Sequence, residues 1–234
     1  MAAWLLSARF DGSGKWLLSG FGQHRGYPPF MFRSGEFKEA LRLRLLITPI
    51  PVGSSIGVDN TCVCSDRPSL DSELLHCIDC KNLSWFKQQR HDAVRNCIAA
   101  CLKKTFMCNV SLEQCIGLEP DPPCRMDIMA YVGDRTHYLD VAICNPGGKD
   151  YRTNHHASVT AGAAAGVMET RKLHHYNSLQ SFQFRHDIVP FVLEATGRPS
   201  DHTRNFLKSV FAGEAFGRVA NRLLARIGLI IITL

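Results

Sequence analysis

We expect no segment of this sequence to carry it across or into a membrane. Its N-terminus, MAAWLLSARFDGSG, contains only a brief apolar run with no basic region before it, so it does not read as a secretory signal. The apolar run IGLIIITL at the C-terminus is far too short to span a bilayer. We therefore expect a protein of the nucleus or the cytoplasm that is neither secreted nor bound to a membrane.

A strong excess of one charge is also missing. The sequence has 27 Lys and Arg against 21 Asp and Glu, a net charge of +6 over 234 residues. This mild basic bias is compatible with a polyanionic partner but does not indicate one. Hydrophobic residues make up 45% and charged residues 21%, as in globular rather than disordered chains. The length suits one or two domains with a sizeable core.

Cysteine is abundant, with ten in the chain. Without a secretory signal, clustered cysteines indicate metal binding and reduced thiols rather than a disulfide framework. The segment 61–91 carries thiols and imidazoles at the short spacings that tetrahedral zinc requires. One candidate ligand set consists of Cys62, Cys64, His76 and Cys80. Cys77 in place of His76 would form a CxxC pair, and His91 is a further candidate to close the site.

Two strand-like runs joined by a polar turn at 133–135 occupy residues 124–146. Leu139, Val141 and Ile143 alternate with Asp140 and its even-numbered neighbours, so the aliphatic side chains can face a core while Asp140 points away. In its own run Asp127 shares a face with Met129 and Tyr131, opposite Ile128, Ala130 and Val132. A hairpin would bring Asp127 and Asp140 together, and clustered carboxylates repel each other unless a cation lies between them. Mg²⁺ is the usual occupant.

The remaining pattern predicts an α/β fold. We expect a mixed sheet built from the Asp127 strand, the Asp140 strand and a strand ending at Glu194, flanked by helices at 90–104, 157–178 and 200–226. Within the helix at 90–104 one buried face is predicted by apolar residues at i, i+3, i+4, i+7 and i+8, which are Val94, Cys97, Ile98, Cys101 and Leu102. The segment 106–119 shows no clear period and could supply a strand or a short irregular link. Pro190 favours an edge position or a bulge for the last strand. Lys172 lies on the helix after the Asp140 strand, so its ammonium could reach the carboxylates.

The order of these parts resembles a known family. The succession runs GSGKWLLS, EFKEALRLRLL, CxC, HxxxC, RHDAVRN, RMD, LDVAICNP, an Ala-rich helix with a lysine near its end, and PFVLEATG. It is similar to the C-terminal region of non-LTR retrotransposon proteins that carry a restriction-like endonuclease, related to the PD-(D/E)xK superfamily. The resemblance extends from about residue 12 onward. It implies a restriction-endonuclease-like sheet preceded by a small zinc-binding helical segment.

The resemblance also implies roles for residues of the acidic pair. Asp127 matches the first acid of the family pattern and Asp140 the second, and both would hold the catalytic Mg²⁺. The lysine usually found two residues after the second acid is absent, because Ala142 stands there. Lys172 on the following helix is then the candidate lysine. Glu169 is a candidate third ligand or base.

Apolar residues at helical spacing predict a mostly helical lead-in at 1–47, and the prolines, glycines and serines of 48–60 predict a linker. The resemblance implies a zinc-knuckle-like segment at 61–91 and a nuclease domain at 92–234. The Cys/His set would hold a structural zinc, and His91 matches an Arg-His pair at a helix start. The implied function is metal-dependent cleavage of DNA, with element RNA as a second candidate partner. Met126 departs from the family's proline, and no reverse transcriptase precedes the nuclease. A fragment, a separate gene product or a decayed copy is therefore expected, and the alternative is an inactive zinc-containing nucleic-acid-binding remnant.

Overall fold

The structure is a computed structural model that describes residues 3, 8, 61, 62, 64, 76–116, 124–178, 188–212 and 214–233. The predicted lead-in and linker at 1–60 lie outside the described residues, apart from two positions. The segment 65–75 within the predicted zinc-binding region lies outside them as well. The fold below is that of the described part of the chain.

Helices come first along these residues, then three consecutive strands, and then a fourth strand between two pairs of helices. In chain order they are α1 (His76–Asp79), a 3-10 turn (Lys81–Leu83), α2 (Ser84–Phe106), β1 (Val110–Ile116), β2 (Cys124–Val132), β3 (Arg135–Cys144), α3 (Lys149–Asn154), α4 (Ala163–Ser178), β4 (Ile188–Glu194), α5 (Asp201–Val210) and α6 (Glu214–Thr233). No helix in the described ranges is both long enough and apolar enough to cross a membrane.

Four strands form one sheet in the order β1-β2-β3-β4. The pairs β1/β2 and β2/β3 are antiparallel, whereas β3 and β4 run parallel. A parallel pair needs a crossover connection, and α4 lies in the segment between these two strands. The predicted mixed α/β architecture with helices flanking the sheet is confirmed. The sheet contains one strand more than the three predicted, namely β1. The sequence of this segment has no clear alternation of apolar and polar residues from which a strand could be predicted.

The main core lies between one face of the sheet and helices α2, α5 and α6. Leu139 and Val141 of β3 are buried there, as the alternation in the sequence predicted. On α2 the apolar positions Val94, Ile98 and Leu102 are completely buried, at 0% exposure each. The helical face predicted from their spacing is therefore the face that packs on the sheet.

Strand β4 is an edge strand, which suits its proline. Pro190 lies opposite Asp140 in the parallel register. Beyond β4 the edge is covered by α5, whose Thr203 hydroxyl accepts a hydrogen bond from the Val192 amide at 2.8 Å. A helix placed over a sheet edge prevents pairing with another chain at that edge.

Helix α4 begins later than predicted. Residues 157–162 form turns, and the helix runs only from Ala163 to Ser178. Gly162 has φ +84°, a left-handed conformation that glycine adopts without strain and that ends any helix before it. A Cβ at this position would also lie 3.0 Å from Nε of Arg198. The chain therefore reverses at Gly162 before the helix that carries Lys172.

Candidate functional site

Two carboxylates lie at the point where β2 and β3 stop pairing. The register of the two strands ends with Ile128 opposite Leu139. Asp127 and Asp140 are the next residues along each strand, so the fold places them side by side. Each side chain is 15% exposed, which leaves the carboxylates accessible but largely removed from water.

Asp127 is held by two donors at one carboxylate oxygen. Its Oδ2 accepts a hydrogen bond from the Val141 amide at 2.7 Å and lies 3.2 Å from Nε2 of His91. The Asp127 carboxylate thus accepts the hydrogen bond that a backbone carbonyl of a paired strand would otherwise accept from the Val141 amide. Burial acts to raise the pKa of Asp127, but the hydrogen bond and the charge of His91, with the Val141 amide, bring the pKa below its ordinary value. The carboxylate is therefore ionised at neutral pH.

His91 lies between two carboxylates. Its Nδ1 is 3.2 Å from Oδ1 of Asp92, and its Nε2 faces Asp127. The hydrogen bond to Asp127 raises the pKa of His91, against the opposing effect of burial. The prediction that His91 closes the zinc site is corrected. His91 lies seven residues after the start of α2, and its imidazole contacts Asp127 of β2 instead of the cysteines.

Asp140 is held from the opposite side by helix α4. Nζ of Lys172 lies 2.6 Å from Oδ2 of Asp140, and the Tyr176 hydroxyl donates a hydrogen bond to the same oxygen. Lys172 and Tyr176 are four residues apart, so one turn of α4 presents both groups on one face. The predicted approach of Lys172 to the acidic pair is what the structure contains.

Tyr176 is the site residue that the sequence reasoning did not single out. It shares the helical face of Lys172, and this spacing was the available signal. Its side chain is 4% exposed and packs with Met126, Tyr138 and Ile188. Burial, followed by the negative charge of Asp140, raises the pKa of Tyr176, so the phenol remains protonated and donates its hydrogen.

One oxygen of each carboxylate has no hydrogen-bond or ion-pair partner among the described residues. Within the described ranges, the hydrogen bonds and ion pairs of Asp127 and Asp140 are all made by Oδ2. The two Oδ1 atoms therefore remain as acceptors on neighbouring strands. Carboxylate oxygens are the ligands that Mg²⁺ and Ca²⁺ prefer.

Glu169 is not brought to this pair. Its carboxylate accepts hydrogen bonds from the His202 amide at 3.0 Å and lies 2.9 Å from Nδ1 of the same residue. Burial acts to raise the pKa of Glu169, and the contacts with His202 lower it below its ordinary value. The predicted role as a third ligand or base is corrected, because this side chain joins α4 to the start of α5.

Three cysteines and one histidine form a second site, which could hold a metal ion. Their ligand atoms all lie within 4.8 Å of one another, and the residues are Cys62, Cys64, His76 and Cys80. Sγ of Cys62 is 3.7 Å from Sγ of Cys80, and Sγ of Cys64 is 3.3 Å from Nε2 of His76. Tetrahedral zinc with ordinary bond lengths would separate two sulfurs by about 3.8 Å and a sulfur from a nitrogen by about 3.6 Å. The donor set and its spacing are therefore compatible with zinc.

All three thiols of this cluster are buried. Burial raises the pKa of the Cys62 thiol to about 11, so a metal must displace its proton to bind. His76 begins helix α1, and Cys80 directly follows that helix. The side chain of Cys77, the alternative ligand, lies outside the described part of the chain.

Helix α2 connects the two sites through consecutive residues. Arg90 is buried, and its Nη2 donates a hydrogen bond to the Ile78 carbonyl at 3.2 Å. Ile78 lies between His76 and Cys80 of the cluster. The next residue, His91, contacts Asp127. A rigid helix thereby links the position of the cluster to that of the acidic pair.

Comparison with known proteins adds no assignment. No family model and no curated protein sequence matches this chain.

Proposed function

We propose that the chain is a metal-dependent DNA endonuclease domain of the restriction-like type, akin to the C-terminal region of non-LTR retrotransposon proteins. The observation that carries this proposal is the convergence of Asp127, Asp140 and Lys172. Two acids on adjacent strands and an ammonium from the following helix are the groups that the resemblance implied. The four-stranded mixed sheet with flanking helices supports it.

The acidic pair fits a hard divalent cation. Each carboxylate is anchored through Oδ2, which leaves Oδ1 of Asp127 and Oδ1 of Asp140 to hold Mg²⁺. Bound Mg²⁺ would polarise the scissile phosphodiester and lower the pKa of an attacking water. Lys172 would stabilise the negative charge that develops on the phosphate, as a preorganised cation does in a site with little water.

In this proposal His91 and Tyr176 orient the carboxylates without touching the substrate. His91 keeps Asp127 in place from α2, and Tyr176 keeps Asp140 in place from α4. The Cys/His cluster would hold a structural zinc that stabilises the segment before α2. The partner would be DNA in the nucleus, with element RNA as a second candidate.

The test is plasmid nicking by purified zinc-loaded protein. Supercoiled DNA is incubated with Mg²⁺, with Ca²⁺ or with no added divalent ion. Wild type is compared with Asp140→Ala and Lys172→Met, and with Asp134→Asn as the matched control. Asp134 is an exposed carboxylate in the turn between β2 and β3, so its loss should leave nicking unchanged.

We expect nicking that requires Mg²⁺ and falls by at least about a hundredfold in both site variants, the effect of losing a preorganised charge of this kind. Equal nicking by wild type and Asp140→Ala would reject the assignment. Salt-dependent DNA binding by a wild type that never nicks would instead support the inactive nucleic-acid-binding remnant.

A further inference from the structure

A cleft beside Asp140 extends the acidic site along helix α4. It has a volume of about 440 Å³ and is lined by residues of β2, β3 and α4. Its polar lining comprises Arg125, Asp140, Arg171, Lys172, His175 and Tyr176. The acidic site therefore opens into a cleft lined by three cations and one carboxylate, with Glu113 and Asp150 beside two of the cations.

The charges of this cleft favour a polyanion. Arg125, Arg171 and Lys172 supply three positive charges against the one carboxylate of Asp140. Lys172 is 19% exposed and pairs with Asp140, whereas Arg125 and Arg171 are 66% and 52% exposed. The two arginines thus lie on the outer part of the cleft, where a long ligand would run past the acidic site.

Each arginine is positioned by an acid outside the cleft lining. Nε of Arg125 lies 2.7 Å from Glu113, and Nη2 of Arg171 lies 2.8 Å from Asp150. The Arg171 guanidinium also lies over the ring of Tyr151, 5.8 Å from its centroid. A guanidinium has five N–H donors, so these contacts orient the group while other donors stay available for phosphate oxygens.

We infer that this cleft binds the phosphodiester backbone of duplex DNA, with Arg125 and Arg171 contacting phosphates on either side of the one beside Asp140. The inference rests on the proposed nuclease function and names the residues by which the substrate would be held. Contacts to phosphates position a protein on DNA without reading its sequence. The cleft would therefore bind many sequences with similar affinity.

The expected loss of DNA affinity on removing the two arginines can be calculated from counterion release. Each phosphate contact contributes about 0.9 to the slope of log affinity against log salt concentration. Loss of two contacts should lower the slope by about 1.8. At about 0.1 M salt this corresponds to a loss of affinity of up to about sixtyfold.

The experiment measures binding of a fluorescent 30-base-pair duplex by anisotropy, with full-length zinc-loaded protein, no Mg²⁺ and a series of salt concentrations. The variants are Arg125→Ala/Arg171→Ala and, as a matched control, Arg152→Ala, an exposed arginine of α3 outside the cleft. Asp150→Asn is a comparison variant, because it removes the ion pair that orients Arg171 but keeps the positive charge of Arg171.

We expect the double variant to lose affinity and salt dependence, while Arg152→Ala binds like wild type. Asp150→Asn should lose less affinity than the double variant, because Arg171 keeps its charge. Equal binding by the double variant and Arg152→Ala would overturn the inference, and so would a loss of affinity in Asp150→Asn as large as that of the double variant. Tighter binding of an RNA hairpin through the same arginines would overturn duplex DNA as the ligand. Binding can be measured without cleavage, so the two proposals can fail separately. Binding that depends on the two arginines, in a protein that never nicks DNA, would refute only the proposed function. Nicking by wild type, with DNA binding unchanged in the double variant, would refute only this inference.

Discussion

Replacement of Tyr176 by phenylalanine removes the hydrogen bond that its hydroxyl donates to the acidic site. The phenol donates to Oδ2 of Asp140, while its ring packs with Met126, Tyr138 and Ile188. Tyr176→Phe keeps the ring and removes only the hydroxyl. The change therefore measures how firmly α4 holds this carboxylate.

The expected loss of stability depends on the donors that still contact Asp140 in the variant. A hydrogen bond to a charged group contributes about 1.5–3 kcal/mol to stability. Lys172 remains 2.6 Å from the same oxygen, so the carboxylate is not left without a donor. We therefore expect a loss in the lower half of that range, about 1.5–2 kcal/mol.

Urea unfolding followed by circular dichroism measures this difference. With a slope of about 3 kcal/mol per molar urea, a loss of about 1.8 kcal/mol moves the midpoint down by about 0.6 M. Tyr131→Phe is the matched control, because Tyr131 is exposed and the hydrogen bond that its hydroxyl makes in the described part of the chain is to the sulfur of Met129, at 3.8 Å. That substitution should change the free energy of unfolding by less than about 0.5 kcal/mol.

Equal midpoints for the two phenylalanine variants would refute the reasoning. A second check uses Asp140→Ala as the background. Without its acceptor, the Tyr176 hydroxyl has no carboxylate to stabilise, so Tyr176→Phe should cost at least about 1 kcal/mol less than in wild type. An unchanged cost would show that the hydroxyl acts through other contacts.

The remaining predictions concern the Cys/His cluster and His91. Cys80→Ser should abolish binding of zinc, measured by metal analysis of the purified protein, whereas Cys115→Ser removes an exposed thiol and should leave the metal content unchanged. His91→Gln should cost about 1–2 kcal/mol at about pH 5.5 and less at about pH 8.5, measured by urea unfolding against the exposed control His174→Gln. The raised pKa of His91 makes its contribution fully present below about pH 6.5, and it is lost as the pH rises through the folded value. The lowered pKa of Asp127 adds a contribution to stability that is present above about pH 4 and is lost as the pH falls through the pKa of Asp127 in the folded protein. The Asp127–His91 pair therefore stabilises the fold most between about pH 4 and about pH 6.5. A cost of His91→Gln that does not change with pH would contradict this assignment.

The sequence alone was enough to identify the strands and helices that carry the site, and the faces that they bury. Alternation along β3 placed Leu139 in the core and Asp140 on the other face, because a strand has a period of two whatever its neighbours are. The spacing on α2 likewise identified Val94 and Ile98 as buried. The short spacings among the Cys and His residues narrowed the metal ligands to a few candidates, since nearby ligands must converge on one ion.

Only the tertiary structure decided which groups meet across different elements. His91 was a candidate for the cysteines, and the packing of α2 placed it against Asp127 instead. Glu169 and Tyr176 both lie on the helix of Lys172, yet Tyr176 reaches Asp140 while Glu169 contacts His202. Periodicity determines which way a side chain points from its own helix or strand. The neighbour that it meets depends on how far apart the elements pack and how they cross, and these quantities arise from contacts between residues distant in sequence.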